Sequence, residues 1–167
     1  MNLAQLAAQM ESNAEAVRSI VEAVSDEQAR WRPTVDAWSM ADVMAHLAYE
    51  EVHDFRDRLE LILHRPDEHW PLAEPNRGVY AESNKDLSAA LQEFVTARRA
   101  SMVWLRKLRN PDWEAAHEAP FGCIRAGDVL ASWLGHDLLH LRQLTELRWS
   151  ILARQIQPYE LHYAGEW

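Results

Sequence analysis

An all-α fold is predicted, a four-helix bundle with a long crossover between its second and third helices. Three observations predict it. Apolar residues recur at three- and four-residue steps over four long stretches, and nothing alternates in the manner of a strand. Five glycines in 167 residues are few, and the seven prolines fall between or beyond those stretches. One of the intervals, residues 65–84, is long enough to cross a bundle. A chain of this length is the size of one domain, and no repeat, low-complexity tract or linker divides it. Residues 1–167 are therefore read as a single four-helix bundle without strands.

The first helix is expected over 3–24, where Leu3, Leu6, Met10, Val17 and Ile20 recur among Glu11, Glu15, Arg18 and Glu22. Residues 25–38 hold Pro33 and two tryptophans and connect it to the next. Ser39-Met40-Ala41-Asp42 has the form of a capping box and opens a second helix over about 40–64. Met40, Met44, Leu47, Phe55 and Ile62 make its apolar stripe. Val43, His46, Glu50, His53 and Asp57 lie on a neighbouring stripe, either a cavity wall or a solvated edge. A third helix is expected over 85–108, carrying Leu87, Leu91, Phe94, Val95, Met102 and Leu105 inward. Residues 109–125 break at Pro111, Pro120 and Gly122, and a fourth helix follows over 126–156. Tyr159, Tyr163 and Trp167 then form an aromatic tail suited to docking on the bundle or on a second subunit.

Composition excludes several classes. A net charge of −9 opposes binding to a phosphate backbone, and the cluster Arg98, Arg99, Arg106, Lys107 and Arg109 reads as one solvated helix face. No nucleic-acid partner is expected. The single cysteine, Cys123, can form no intrachain disulfide and no cysteine-based zinc site; it is read as a small apolar filler. The start of the chain has no basic-then-apolar leader, and no apolar run is long enough to span a membrane. A cytoplasmic location is expected.

Chemistry concentrates in Gly135-His136-Asp137-Leu138-Leu139-His140-Leu141-Arg142-Gln143-Leu144. At about 100° per residue, positions four apart share a helix face one turn apart, so both imidazoles can reach a single ion. With Trp133 as origin, Val129, His136, His140, Leu144, Leu147 and Ile151 all fall within about 60° of it. The pair thus points inward, where unpaired imidazoles are costly. The spacing alone leaves two readings open, a metal site or core histidines bonded to carbonyls and carboxylates. A third inward histidine favours metal, and His46 is the best placed. His53 stands about 10 Å further along its helix, too far for the same ion but able to line a cavity. Three neutral imidazoles around a zinc-like ion leave open positions, a catalytic pattern.

Trp38-Ser39-Met40-Ala41-Asp42-Val43-Met44-Ala45-His46-Leu47, taken with the His136–Leu144 motif, resembles the DinB/YfiT-like superfamily over nearly the whole chain. That resemblance implies a four-helix bundle with a long crossover. It also implies a divalent metal, commonly zinc or nickel, held by His46, His136 and His140. Members include thiol-dependent transferases that use bacillithiol or mycothiol, a mycothiol-dependent isomerase and proteins labelled metal-dependent hydrolases. The implied activity is a metal-dependent thiol S-transferase or hydrolase acting on a small molecule, with a low-molecular-weight thiol as co-substrate. The alternative is a metal-binding or stress-response module without turnover. Relatives often form homodimers.

Around the three histidines, Glu50 lies one turn beyond His46 and reads as a base or support, or else as a partner of Arg18. Asp137 points inward, about 40° from Trp133, and would orient an imidazole of another helix or pair with Arg18 or Arg142. Trp38 and Trp133 are expected to pack around the site. His64, His69, His117 and His162 fall in or beside loops and read as surface residues.

Overall fold

The computed structural model describes residues 2–71 and 86–165. Helix α1 spans Leu3–Val21, α2 Asp26–Arg30, α3 Met40–His53, α4 Phe55–His64, α5 Leu87–Leu105 and α6 Ala126–Gln155. A hairpin of β1 (Ala116–Ala119) and β2 (Gly122–Arg125) precedes α6, and one 3-10 turn follows it at His162–Ala164. The bundle has four arms, namely α1, the α3–α4 pair, α5 and α6. Helix α3 packs on α5, α5 on α1, α1 on α6 and α6 on α4. The expected four-helix bundle is what forms. Of its crossover, residues 72–85 lie outside the described residues.

Local chemistry starts each arm. Asn2 accepts from the Gln5 N–H at the head of α1, and Asp86 accepts from the Ala89 N–H at the head of α5. Ser39 and Asp42 form the expected reciprocal box at α3, reinforced by Arg32 on the Asp42 carboxylate at 2.9 Å. These bonds satisfy donors that a helix start otherwise leaves orphaned.

Two expectations are corrected. The helix expected over 40–64 is broken at Asp54, whose backbone takes φ −120° and ψ −91°. No glycine or proline marks the break, and the apolar steps continue in phase across it. Residues 109–125 were expected to be irregular, yet they contain the antiparallel pair, in register from Ala116 opposite Arg125 to Ala119 opposite Gly122. Gly122 closes this hairpin at φ +117°, a conformation that side chains with a Cβ rarely adopt. The strands lack the alternating apolar pattern that would have revealed them. They are held instead by pairing and by contact of Ala115 and Ile124 with the core.

The interior is two apolar clusters separated by a polar layer. One gathers Val17, Met44, Leu47, Phe94, Leu144 and Ile151. The other gathers Met10, Leu59, Met102, Leu105, Leu130 and Trp133. On every arm the residues between the two clusters are polar, with Asn13 on α1, Glu50 and Glu51 on α3, Arg98 and Ser101 on α5, and Asp137 on α6, all buried. The functional candidates lie at this level.

Candidate metal centre

Arg98 organises the polar layer. Only 2% exposed, it gives Nε and one Nη2 hydrogen to Glu51 at 2.9 and 2.8 Å. Two further hydrogens reach the Asp137 carboxylate, each at 2.7 Å, and the last reaches the Met10 carbonyl at 3.1 Å. All five guanidinium N–H donors are used. Trp133 Nε1 donates to Glu51 at 3.0 Å, and Asn13 donates to Asp137 at 3.2 Å. Burial works against the Arg98 charge, but the bonds and charges of Asp137 and Glu51 outweigh it and keep the guanidinium above its ordinary pKa. Burial raises Glu51, with Arg98 and Trp133 opposing the rise. The guanidinium is thus matched within the layer and carries no surplus positive charge toward the histidines.

The histidines sit against this layer. Helix α3 brings His46 to α6, where Nε2 of His136 lies 3.1 Å from Nε2 of His46 and 3.1 Å from Nε2 of His140. One ring nitrogen from each residue falls within 4.8 Å of the other two. Nitrogens bound at 2.0–2.1 Å to one tetrahedral ion lie about 3.3 Å apart, close to the two short separations. Burial and then the His140 charge pull His46 down to about 4. Burial, then His140, His46 and Arg98, pull His136 down to about 3. His140 is lowered as well, its burial outweighing the opposing influence of Gln143 and Asp137. All three rings are therefore neutral near pH 7, the state that supplies a lone pair to a metal.

Neighbours set the direction of those lone pairs. Gln143 Oε1 accepts from His140 Nδ1 at 2.8 Å, which leaves the His140 lone pair on Nε2, facing the cluster. Glu50 Oε1 lies 3.4 Å from His46 Nδ1, close enough for its charge to act on that ring but outside hydrogen-bonding geometry. Trp38 covers the group, edge-on to His46 at 5.1 Å and stacked with His140 at 6.3 Å. Phe55, turned inward just after the Asp54 break, lies 4.9 Å from His136 and stacks on Trp133 at 6.0 Å. Convergent neutral donors with a carboxylate beside one of them fit a divalent cation better than they fit one another.

Several residues stand otherwise than expected. Asp137 is buried as predicted, but it serves Arg98 and Asn13 and pairs with neither Arg18 nor Arg142. Arg18 pairs with Glu15 and Glu22, and Arg142 with Glu146. Glu50 faces His46 and not Arg18. His53 is exposed, its ring against Tyr49 at 4.6 Å, and does not line the site. Arg98 leaves the solvated basic face to which it was assigned. Cys123 is exposed and fills no core position. Tyr159 and Tyr163 are exposed and do not dock on the bundle, while Trp167 lies outside the described residues. His117 is half-buried, with ring nitrogens 2.8 Å from the Glu68 carbonyl and 2.9 Å from that of Glu118.

The sequence carried a signal for the missed residues. Glu51 follows Leu47 by four on the apolar stripe, Arg98 falls between Phe94 and Met102, and Asn13 between Met10 and Val17. A charge or amide at core register on each arm announces a buried network.

Fold and site together define a helical bundle with a half-buried three-histidine donor group. The chain belongs to the DinB superfamily, whose family model matches residues 9–144. Among solved structures it is similar to YfiT from Bacillus subtilis, described as a probable metal-dependent hydrolase with an unusual four-helix bundle topology. The identity is 20%, the TM-score 0.74, and the match covers 89% of this chain and 87% of that one. It is also similar to a variant of a mycothiol-dependent maleylpyruvate isomerase, at 13% identity and TM-score 0.68, over 86% of this chain and 61% of the other. No curated protein matches the sequence. No helix among the described residues is long and apolar enough to cross a membrane.

Proposed function

We propose that the protein is a metal-dependent enzyme in which His46, His136 and His140 hold a divalent ion, zinc or nickel, and that it acts on a small molecule as a thiol S-transferase or hydrolase. The observation that carries this reading is the convergence of three neutral imidazole nitrogens in a site that three ligands leave incomplete. When bound, such an ion lowers the pKa of a coordinated thiol or water and so supplies a nucleophile near neutral pH. The protein's own contribution is positioning. Gln143 holds His140 with Nε2 toward the cluster, and Glu50, 3.4 Å from His46, is a carboxylate placed to accept a proton from a nucleophile beside that ring. Trp38 excludes water from one side. Likeness to a protein described as a probable metal-dependent hydrolase and to a mycothiol-dependent isomerase supports both chemistries, and of the two we put transfer of a low-molecular-weight thiol slightly ahead of hydrolysis.

Elemental analysis of untagged protein, dialysed without strong chelator, tests the reading. The wild type is expected to carry about one equivalent of zinc, nickel or a similar ion, and His136→Ala very little, with its helical circular dichroism retained. Metal in neither protein, and no uptake on titration, would sink the proposal. A thiol-transfer and hydrolysis screen on the loaded protein then separates the two chemistries.

A further inference from the structure

A cavity of about 380 Å³ opens beside the histidines, between α4, the residues that follow it, the hairpin and α6. Phe55, Trp70, Phe121, Ile124 and Val129 make it largely apolar. Its position relative to the donor group follows from one shared neighbour and one helix register. Phe55 is both a wall of the cavity and a neighbour of His136, with ring centroids 4.9 Å apart. Ser132, on the opposite wall, precedes His136 by four residues on α6, so the two side chains emerge on one helix face about one turn apart. A molecule seated in the cavity therefore has its inner end next to the His136 side of the cluster.

Charge decides what the cavity takes. Arg58 lies in its wall, but its Nε is bonded to Asp54 at 2.5 Å and its guanidinium lies over the Trp70 ring at 4.7 Å. The positive charge is already matched by a carboxylate and an aromatic face. Asp54, the partner of Arg58, lines the cavity too, and no other charged residue does so among the described residues. Among the described residues an anion would meet a guanidinium already matched by the Asp54 carboxylate, whereas an apolar group would meet the rings of Phe55, Trp70 and Phe121. Phe121 adds to this apolar surface from the hairpin tip, 71% exposed and edge-on to Trp70 at 5.8 Å. A cavity of about 150 Å³ accepts one benzene ring, so this one accommodates roughly two rings.

We propose that this cavity binds the uncharged, aromatic or compact apolar portion of the small-molecule substrate, a group of one or two rings, and presents the attached reactive centre to the histidine cluster. The proposal rests on the enzymatic reading above for the word substrate, but not for the binding site itself.

The test uses 2-naphthol, which has two fused rings and is uncharged at neutral pH. Saturation-transfer NMR and a fluorescence titration are run on metal-free full-length protein. The wild type is expected to bind one equivalent, and Ile124→Trp, which fills the cavity from the hairpin, to bind at least tenfold more weakly with unchanged circular dichroism and metal uptake. Ser132→Leu fills it from the opposite wall and gives the same reading should Ile124→Trp not fold. Absence of binding, or binding that neither filled variant weakens, overturns the proposal. With cobalt(II) loaded, the bound naphthol protons are expected to relax faster than in metal-free protein, and unchanged relaxation would overturn the placement beside the cluster. Failure of the protein to take up cobalt would count against the metal reading alone, since the metal-free titration stands independently.

Discussion

At the residue scale, Gln143 shows how a side chain that touches no reacting atom controls a donor. Its carboxamide oxygen holds the proton of His140 on Nδ1, so the lone pair faces His46 and His136. Gln143→Leu is expected to weaken zinc binding by about 10- to 100-fold, whereas Gln143→Glu, which still accepts that hydrogen bond, retains most of it. Competition against a chromophoric chelator measures both. The inward direction of His136, His140 and Asp137 was legible from helical spacing, because spacing reports which face a side chain occupies. The partner of Asp137 was not, since Arg98 lies 39 residues away on an arm whose rotation only packing determines. Arg98 itself was hidden by its basic neighbours in sequence, although its register between Phe94 and Met102 placed it on the core stripe.

At the element scale, capping chemistry was readable and chain reversals were not. Ser39 and Asp42 start α3 as their spacing predicts, and the α3 arm then carries His46 to α6. Ser39→Ala is expected to cost about 1 kcal/mol, read as a lower urea midpoint at constant slope. The break at Asp54 lay beyond sequence reasoning because neither composition nor phase changes there, yet it turns Phe55 onto His136. The hairpin was equally hidden. His117 fastens it to the segment after α4 through the Glu68 carbonyl, a contact between residues 49 positions apart. His117→Ala is expected to increase amide hydrogen exchange in the hairpin while leaving α6 protected.

At the scale of the whole molecule, the polar layer is the principal liability and the principal organiser. Arg98→Met would leave the carboxylates of Glu51 and Asp137 buried without their partner, and is expected to cost about 3–5 kcal/mol in denaturant unfolding. Replacing all three with apolar residues of similar size should recover most of that loss. Acid acts on the same region. His46, His136 and His140 have folded pKa values below the ordinary 6.5, so the unfolded chain takes up protons first as pH falls. Their contribution is complete above about pH 6.5 and is lost progressively toward the folded values near 4 and 3. Glu51, raised by burial, works in the opposite sense, but one carboxyl opposes three imidazoles. Metal-free protein is therefore expected to unfold at lower urea concentration at about pH 5.5 than at about pH 7.5. An unchanged midpoint would show that the imidazoles are better solvated than their burial indicates.

What the sequence determined by itself was periodic or local: four amphipathic arms, the Ser39–Asp42 cap of α3, the inward pair His136 and His140, and His46 as the best-placed third histidine. These follow from spacing along one chain segment, where 3.6 residues per turn converts position into direction. Tertiary structure alone decided which directions meet. It set the arms in register so that the polar residues of each fall at one level, gave Asp137 and Glu51 their shared guanidinium, and opened an apolar cavity beside the histidines. Such juxtapositions depend on the rotation and offset of whole helices, which follow from the summed packing of two cores and leave no mark in any single stretch of residues.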